Sequence, residues 1–133
     1  DVGGAGATAV PPGYTPPGDP AGRAVLDFAM AQLGKPYGWG AAGPDAFDCS
    51  GLMMWAYAQN GISIPRTSQA QLAGGTPVSL DALQPGDIIG YYPGVTHVGM
   101  YIGDGMVVHS SDYGIPIQVV PLNSMPVQGA VRY

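Results

Sequence analysis

The sequence predicts a single α+β domain in which N-terminal helices pack on an antiparallel sheet of about five or six strands. Two observations carry this prediction. Apolar residues recur at helical spacing in the first half of the globular part, whereas short alternating or β-branched runs separated by turn residues fill the second half. Helices that precede a meander of strands are typical of the α+β class.

Residues 1–21 are expected to form a linker or arm, and residues 22–133 the folded domain. The first 18 residues, "DVGGAGATAVPPGYTPPG", are mostly Gly, Ala and Pro and have no apolar period. Such a segment buries too little apolar surface to offset the entropy of ordering it. Tyr14 could nevertheless dock on the domain.

Three helices are predicted. The first starts with Asp19 as N-cap and Pro20 at its first position, and it runs to Gly34. The second spans 49–59 and is apolar around most of its circumference, which predicts a buried, central helix. The third lies in "PRTSQAQLAGG", with Ser68 and Gln71 at capping-box spacing.

The strands are expected in four runs and in the C-terminal "AVRY". The runs are "DIIGYY" (87–92), "HVGMYI" (97–102), "MVVHS" (106–110) and "IQVV" (117–120). The "GDG" at 103–105 predicts a hairpin between the second and third of them.

Composition excludes some functions for the 133 residues. The net charge is −5, with four Lys and Arg residues, so no cationic stripe is available and we expect no nucleic-acid partner. No apolar run approaches the roughly 20 residues that span a bilayer, so we expect no membrane insertion.

The single cysteine, Cys49, stands at the head of the second helix, with Asp48 as its N-cap. Backbone N–H groups and the helix dipole at that position favour a thiolate and can receive an oxyanion. Ser50 and Gly51 are small and leave room for a substrate. A structural cysteine remains the alternative on position alone.

The only two histidines, His97 and His109, lie in the strand region. With only Asp104 and Gly105 in the hairpin turn, His109 would pair with Met100 and face away from His97. We expect Gly103 to be part of a three-residue loop instead, so that His109 pairs with Gly99 and lies diagonal to His97 on one face of the sheet. A second polar ring can hold the first imidazole in one tautomer, as a nucleophile triad requires. The alternatives are two solvated surface histidines, or a zinc site with Cys49 and an Asp, although the sequence has no second Cys and no metal-type motif.

Six fragments in order resemble the NlpC/P60 family of cell-wall peptidases over roughly residues 22–133. They are "PYGWG", "FDCSGL", "IPRTSQAQ", "LQPGDII", "THVGMYIGDG" and "MVVHSS". The resemblance implies a papain-like fold and hydrolysis of peptidoglycan stem peptides, between D-glutamate, through its γ-carboxyl, and a diamino acid.

The resemblance also implies the roles of individual residues. Cys49 would be the nucleophile, His97 the base and His109 the orienting third member. Tyr37 would assist the oxyanion site. Asp48 and Ser50 would line the substrate site.

Two further residues are assigned to substrate binding with less direct support. We interpret Trp39 as a wall of the cleft. Arg66 could pair with a substrate carboxylate or with a neighbouring Asp.

We expect no metal and no cofactor, a monomer, and a secreted or wall-associated protein, since peptidoglycan lies outside the cytoplasmic membrane. The competing hypothesis is a non-catalytic or autoinhibited peptidoglycan-binding module with the same cleft.

Overall fold

The computed structural model describes residues 20–133. Residues 1–19 of the predicted arm, with Tyr14 and the N-cap role of Asp19, lie outside the described residues. The expected boundary at residue 22 is wrong, because Pro20 and Ala21 already belong to α1. Three helices come first: α1 (Pro20–Met30), α2 (Cys49–Gln59) and α3 (Ser68–Gly74). Six strands follow: β1 (Thr76–Pro77), β2 (Ile88–Tyr91), β3 (His97–Gly103), β4 (Met106–His109), β5 (Gln118–Pro121) and β6 (Val127–Arg132).

All six strands form one antiparallel sheet in the order β1-β6-β2-β3-β4-β5. The predicted α+β class and the strand number are therefore confirmed. The strand that carries His97 lies in the interior of the sheet, between β2 and β4. A short 3₁₀ turn, Leu122–Ser124, connects β5 to β6.

Helix α2 packs against the sheet and is central, as its all-round apolar sequence predicts. Its buried residues Leu52, Met53 and Ala56 are fully enclosed in a core that it shares with α1 and the sheet. Helix α1 is shorter than predicted. It ends at Met30, and the chain turns before Gly34, whose positive φ of 87° and hydrogen bond to Ile117 O direct it towards the sheet.

Both faces of the sheet are covered. The alternation of apolar and other residues along β3 does not predict this. Val98 and Met100 belong to the core on the helix side. Tyr101, on the same strand face as His97, belongs to a second core with Tyr91 and Leu83. The face that carries the histidines is thus enclosed rather than solvated.

Candidate active site

Cys49 is the first residue of α2, and Asp48 is its N-cap as predicted. The Asp48 backbone is extended, with φ −89° and ψ −179°, and its carboxylate accepts a hydrogen bond of 2.6 Å from the Gly51 N–H. The cysteine is free and partly buried. A backbone hydrogen bond from Val98, the residue after His97, reaches its sulfur.

The two histidines form a direct hydrogen bond. His97 Nε2 and His109 Nδ1 are 2.7 Å apart, and the two rings meet at 74° with centroids 5.0 Å apart. His97 is 8% exposed and His109 is 4% exposed, which excludes the alternative of two solvated surface histidines. His109 Nε2 is buried and has no hydrogen-bond partner among residues 20–133.

The β3–β4 register brings the two rings together. Met100 pairs with Val108, so His109 lies opposite Gly99, as predicted. The expected three-residue loop is wrong in detail. Gly103 pairs with Met106, leaving Asp104 and Gly105 in the turn, and a bulge between Tyr101 and Gly103 supplies the extra residue. A Cβ at Gly99 would lie 3.3 Å from Val108 O and 3.4 Å from the His109 Cβ, so a larger residue there would fit only tightly beside His109.

Two contacts tie the head of α2 to the strands that carry the histidines. One is the Val98 hydrogen bond to Cys49. The other is a buried 2.7 Å hydrogen bond from the Ser110 hydroxyl, next to His109, to the carbonyl of Phe47. The neighbours of both histidines therefore bind the segment 47–49. Sequence reasoning missed Ser110 because its partner is 63 residues away.

Burial governs the ionisation of these groups. Burial raises the pKa of the Cys49 thiol, and the nearby Asp48 carboxylate raises it further. The backbone N–H groups of Val98, Ser50 and Cys49 itself lower it, but by less than burial raises it. Burial, with a smaller contribution from His109, lowers the pKa of His97 to about 4. The N–H groups at the helix end do favour the thiolate, as expected, but desolvation outweighs them, so the raised pKa of Cys49 and the lowered pKa of His97 favour a neutral thiol and a neutral imidazole.

Arg66 pairs with Asp48, the second of the two alternatives that its sequence left open. Its Nη2 lies 2.7 Å from Asp48 Oδ2, and its Nη1 lies 3.0 Å from Oδ1 and 2.8 Å from Ser50 Oγ. This two-point contact fixes the guanidinium plane. The pKa of Arg66 is raised, mainly by the Asp48 hydrogen bonds. Asp48, Ser50 and Arg66 thus form one cluster beside Cys49.

Gln71 holds the backbone next to this cluster, a role that the sequence did not indicate. The predicted capping box is wrong, because Thr67 caps α3 and Ser68 donates instead to Val95 O at 2.6 Å. The fully buried Gln71 Nε2 donates to Ser50 O at 2.9 Å and to Pro65 O at 2.8 Å. It therefore links the first turn of α2 to the residue before Arg66.

Tyr37 and Trp39 lie on a loop that runs from Lys35 to Phe47, called here the Tyr37 loop. Hydrogen bonds from Gly38 N to Phe47 O and from Asp48 N to Ala41 O hold the loop beside the head of α2. Burial raises the pKa of Tyr37, and the nearby Asp48 and Cys49 add to the shift. The Trp39 side chain is 82% exposed.

In residues 20–133 no group of three or more His, Cys, Asp or Glu side chains is arranged to hold a metal ion. Within the same residues, no helix combines the length and the apolar character needed to cross a bilayer.

An α+β fold with a cysteine at the head of its central helix, packed against an antiparallel sheet, defines the papain-like class. A model of the NlpC/P60 family matches residues 34–131, and the chain belongs to that family.

Three relatives illustrate the similarity. A "probable endopeptidase" of Corynebacterium glutamicum is 52% identical over 123 residues, which are 92% of this chain and 59% of that protein. The structure of NlpC2 from Trichomonas vaginalis has a TM-score of 0.82 and 38% identity, covering 87% of this chain and 48% of that one. The NlpC/p60 domain of the peptidoglycan hydrolase SagA has a TM-score of 0.77 and 29% identity, covering 84% of this chain and 98% of that domain. The chain thus spans little more than half the length of its first curated relative.

Proposed function

We propose that this chain hydrolyses stem peptides of peptidoglycan through a Cys49–His97–His109 triad. The observation that carries the proposal is the 2.7 Å His97–His109 hydrogen bond, together with the contacts that Val98 and Ser110, the residues after the two histidines, make with the segment 47–49. Support also comes from the relatives, one named a probable endopeptidase and another a peptidoglycan hydrolase. The scissile bond, γ-D-glutamyl to a diamino acid, rests on the family resemblance.

The histidine pair suggests which tautomers the reaction uses. His97 Nε2 is engaged by His109 Nδ1, which leaves His97 Nδ1 as the nitrogen that accepts the thiol proton. His97 must then carry a hydrogen on Nε2 and donate it to His109. Neutral His109 consequently carries its own hydrogen on the buried Nε2.

The reaction begins with a neutral thiol and a neutral imidazole. As Cys49 Sγ attacks the substrate carbonyl carbon, its proton passes to His97 Nδ1, and the carbonyl π electrons move to the oxygen. The Cys49 N–H and the Tyr37 hydroxyl donate to this oxyanion.

Breakdown of the intermediate completes the cycle. The C–N bond breaks, the leaving amine takes the proton from His97, and a thioester remains on Cys49. A water molecule, deprotonated by His97, then attacks the thioester carbon. The acid product leaves, and the returning proton restores the thiol.

The remaining residues are assigned to substrate binding. Asp48, Ser50 and Arg66 present a hydrogen-bonded cluster of mixed charge beside the thiol, and the exposed Trp39 indole forms a cleft wall. Peptidoglycan as substrate implies a secreted or wall-associated protein, which we propose acts as a monomer.

Product analysis tests this proposal against the alternative of a binding module without turnover. The full 133-residue chain is incubated with purified stem peptides, and products are identified by mass spectrometry. We expect two fragments from cleavage after the γ-linked D-glutamate, and none with Cys49→Ala, which removes only the sulfur. Measurable binding with no cleavage by the unaltered chain would favour the binding module, and fragments of other masses would contradict the assigned bond.

A further inference from the structure

A tight turn after β4 presents an aromatic side chain to the Tyr37 loop. Tyr113 stands near the tip of this turn, whose ends are joined by a hydrogen bond from Ile115 N to Asp112 O at 3.1 Å. The Asp112 carboxylate also accepts the Tyr113 N–H at 2.7 Å, and Gly114 has a positive φ of 80°. The backbone around Tyr113 is thus held at several points.

Tyr113 makes two different contacts with the Tyr37 loop. Its hydroxyl oxygen accepts the backbone N–H of Trp39 at 3.1 Å, across 74 residues of sequence. Its ring packs edge-on against Tyr37, with centroids 4.9 Å apart and planes at 79°. Aromatic pairs prefer this edge-to-face arrangement over a face-to-face one.

These contacts lie at the Gly38–Ala41 turn, which a hydrogen bond from Ala41 N to Gly38 O closes at 3.1 Å. The backbone bonds of Gly38 and Ala41 hold the two sides of the loop, and Trp39 projects its side chain into solvent between them. Tyr113 binds the Trp39 backbone at this projecting point and packs against the Tyr37 ring. It nevertheless remains 65% exposed, so its packing adds little to the core.

We propose that Tyr113 is a positioning residue, which holds the Tyr37 loop so that the Tyr37 hydroxyl stays at the oxyanion site beside Cys49. This inference rests on the proposed function, because it assigns a purpose to the position of Tyr37. Tyr113 acts through Tyr37 and does not itself contact the reacting atoms.

The first test does not depend on activity. Hydrogen exchange of the Trp39 amide is followed in the unaltered chain and in Tyr113→Phe, Tyr113→Ala and Leu80→Ala. Tyr113→Phe removes the acceptor and keeps the ring, so the Trp39 amide should exchange about tenfold faster. Leu80 is an exposed control that follows β1, at the opposite edge of the sheet from the β4–β5 turn, and its variant should match the unaltered chain. Unchanged exchange in both Tyr113 variants would overturn the proposal.

The second test is a double-mutant cycle on turnover. We expect Tyr113→Ala to lower kcat about tenfold, with a smaller change in KM, because a displaced oxyanion donor weakens mainly the transition state. In a Tyr37→Phe background the same change should cost less than about twofold, since the hydroxyl that Tyr113 positions is already gone. Tyr113→Phe, which keeps the ring contact, should retain most of the activity.

Different results would contradict the positioning role of Tyr113 and the proposed peptidase function. Additive losses in the cycle would overturn the positioning role and leave the peptidase intact, because Cys49→Ala would still abolish turnover. Turnover that persists in Cys49→Ala would contradict the proposed function. The exchange rate of the Trp39 amide would in that case still report whether Tyr113 holds the loop.

Discussion

The partner of His97 is a second imidazole, and this choice of residue sets the ionisation of the site. A carboxylate at the same place would stabilise an imidazolium by charge, whereas neutral His109 offers only a hydrogen bond. Burial is therefore uncompensated, and the pKa of His97 falls to about 4. The pKa of His109 is also lowered by burial. The lowered pKa values of both rings favour neutral imidazoles in the folded chain.

This ionisation predicts that folding stability depends on pH between about 6.5 and 4. The unfolded chain binds a proton on His97 near pH 6.5, but the folded chain binds it only near pH 4, so stability is lost as the pH falls through this window. From pH 7.5 to 5.0 the loss attributable to His97 is about 2 kcal/mol. Urea unfolding at both values measures it.

His97→Gln is the matched variant for this measurement, since it removes the titrating ring and keeps a polar side chain. We expect it to lose most of the pH dependence, with a remainder from His109. An equal dependence in the variant and the unaltered chain would contradict the lowered pKa of His97.

Single residues were predictable where the signal is local. Asp48 and Cys49 follow from the N-cap rule, because a capping side chain bonds a backbone group three residues away. The partner of Arg66 could not be predicted, since a guanidinium can pair with a nearby Asp or with a substrate carboxylate. The supporting bonds of Gln71 and Ser110 reach residues 21 and 63 positions away, so no sequence pattern encodes them.

At the scale of elements, the head of α2 is seated against the backbone of the Tyr37 loop. Gly51 makes this close approach possible. A Cβ at Gly51 would collide with the Ala41 carbonyl oxygen, and it would lie 2.8 Å from Asp48 Oδ1 and 3.0 Å from Ala42 Cα. Because these neighbours are mainly backbone, the loop and the helix would have to separate.

Gly51→Ala is therefore expected to destabilise the protein by about 1–3 kcal/mol, the usual cost of overpacking, and to reduce stem-peptide turnover at a temperature where it remains folded. Urea unfolding and product formation measure the two effects. Gly129→Ala in β6 is the control, since its Cβ would lie 3.9 Å from Leu72 Cδ2, an ordinary contact. If Gly51→Ala and Gly129→Ala unfold at the same urea concentration, the close packing of α2 on the Tyr37 loop is contradicted.

Helices and strands were predicted well where the apolar residues have a strong period, and poorly where tertiary contacts determine the local structure. Helix α2 has the predicted bounds, and the five expected strands are present. Strand β1 was missed because it has two residues, one of them Pro77, and forms only by pairing with β6. The β3–β4 bulge was missed because both loop lengths are compatible with "GDG".

At the scale of the molecule, one sheet with both faces covered lets a short chain bury two histidines. The helices cover one face, and the chain around Leu83 and Leu122 contributes to the core on the other. The desolvation that lowers the pKa of His97 is thus a property of the whole fold. This could not be predicted from β3, because its alternating sequence is equally compatible with one solvated face.

The central claim, that Cys49 is the nucleophile, is tested most directly by trapping the covalent intermediate. The full chain is mixed with a purified stem peptide, quenched in acid within the first turnover, and analysed by intact-mass spectrometry and peptide mapping. We predict an adduct equal to the mass of the released acid fragment minus water, carried by Cys49 and absent from Cys49→Ala. Normal product release with no adduct on the cysteine, or an adduct on another residue, would contradict this account.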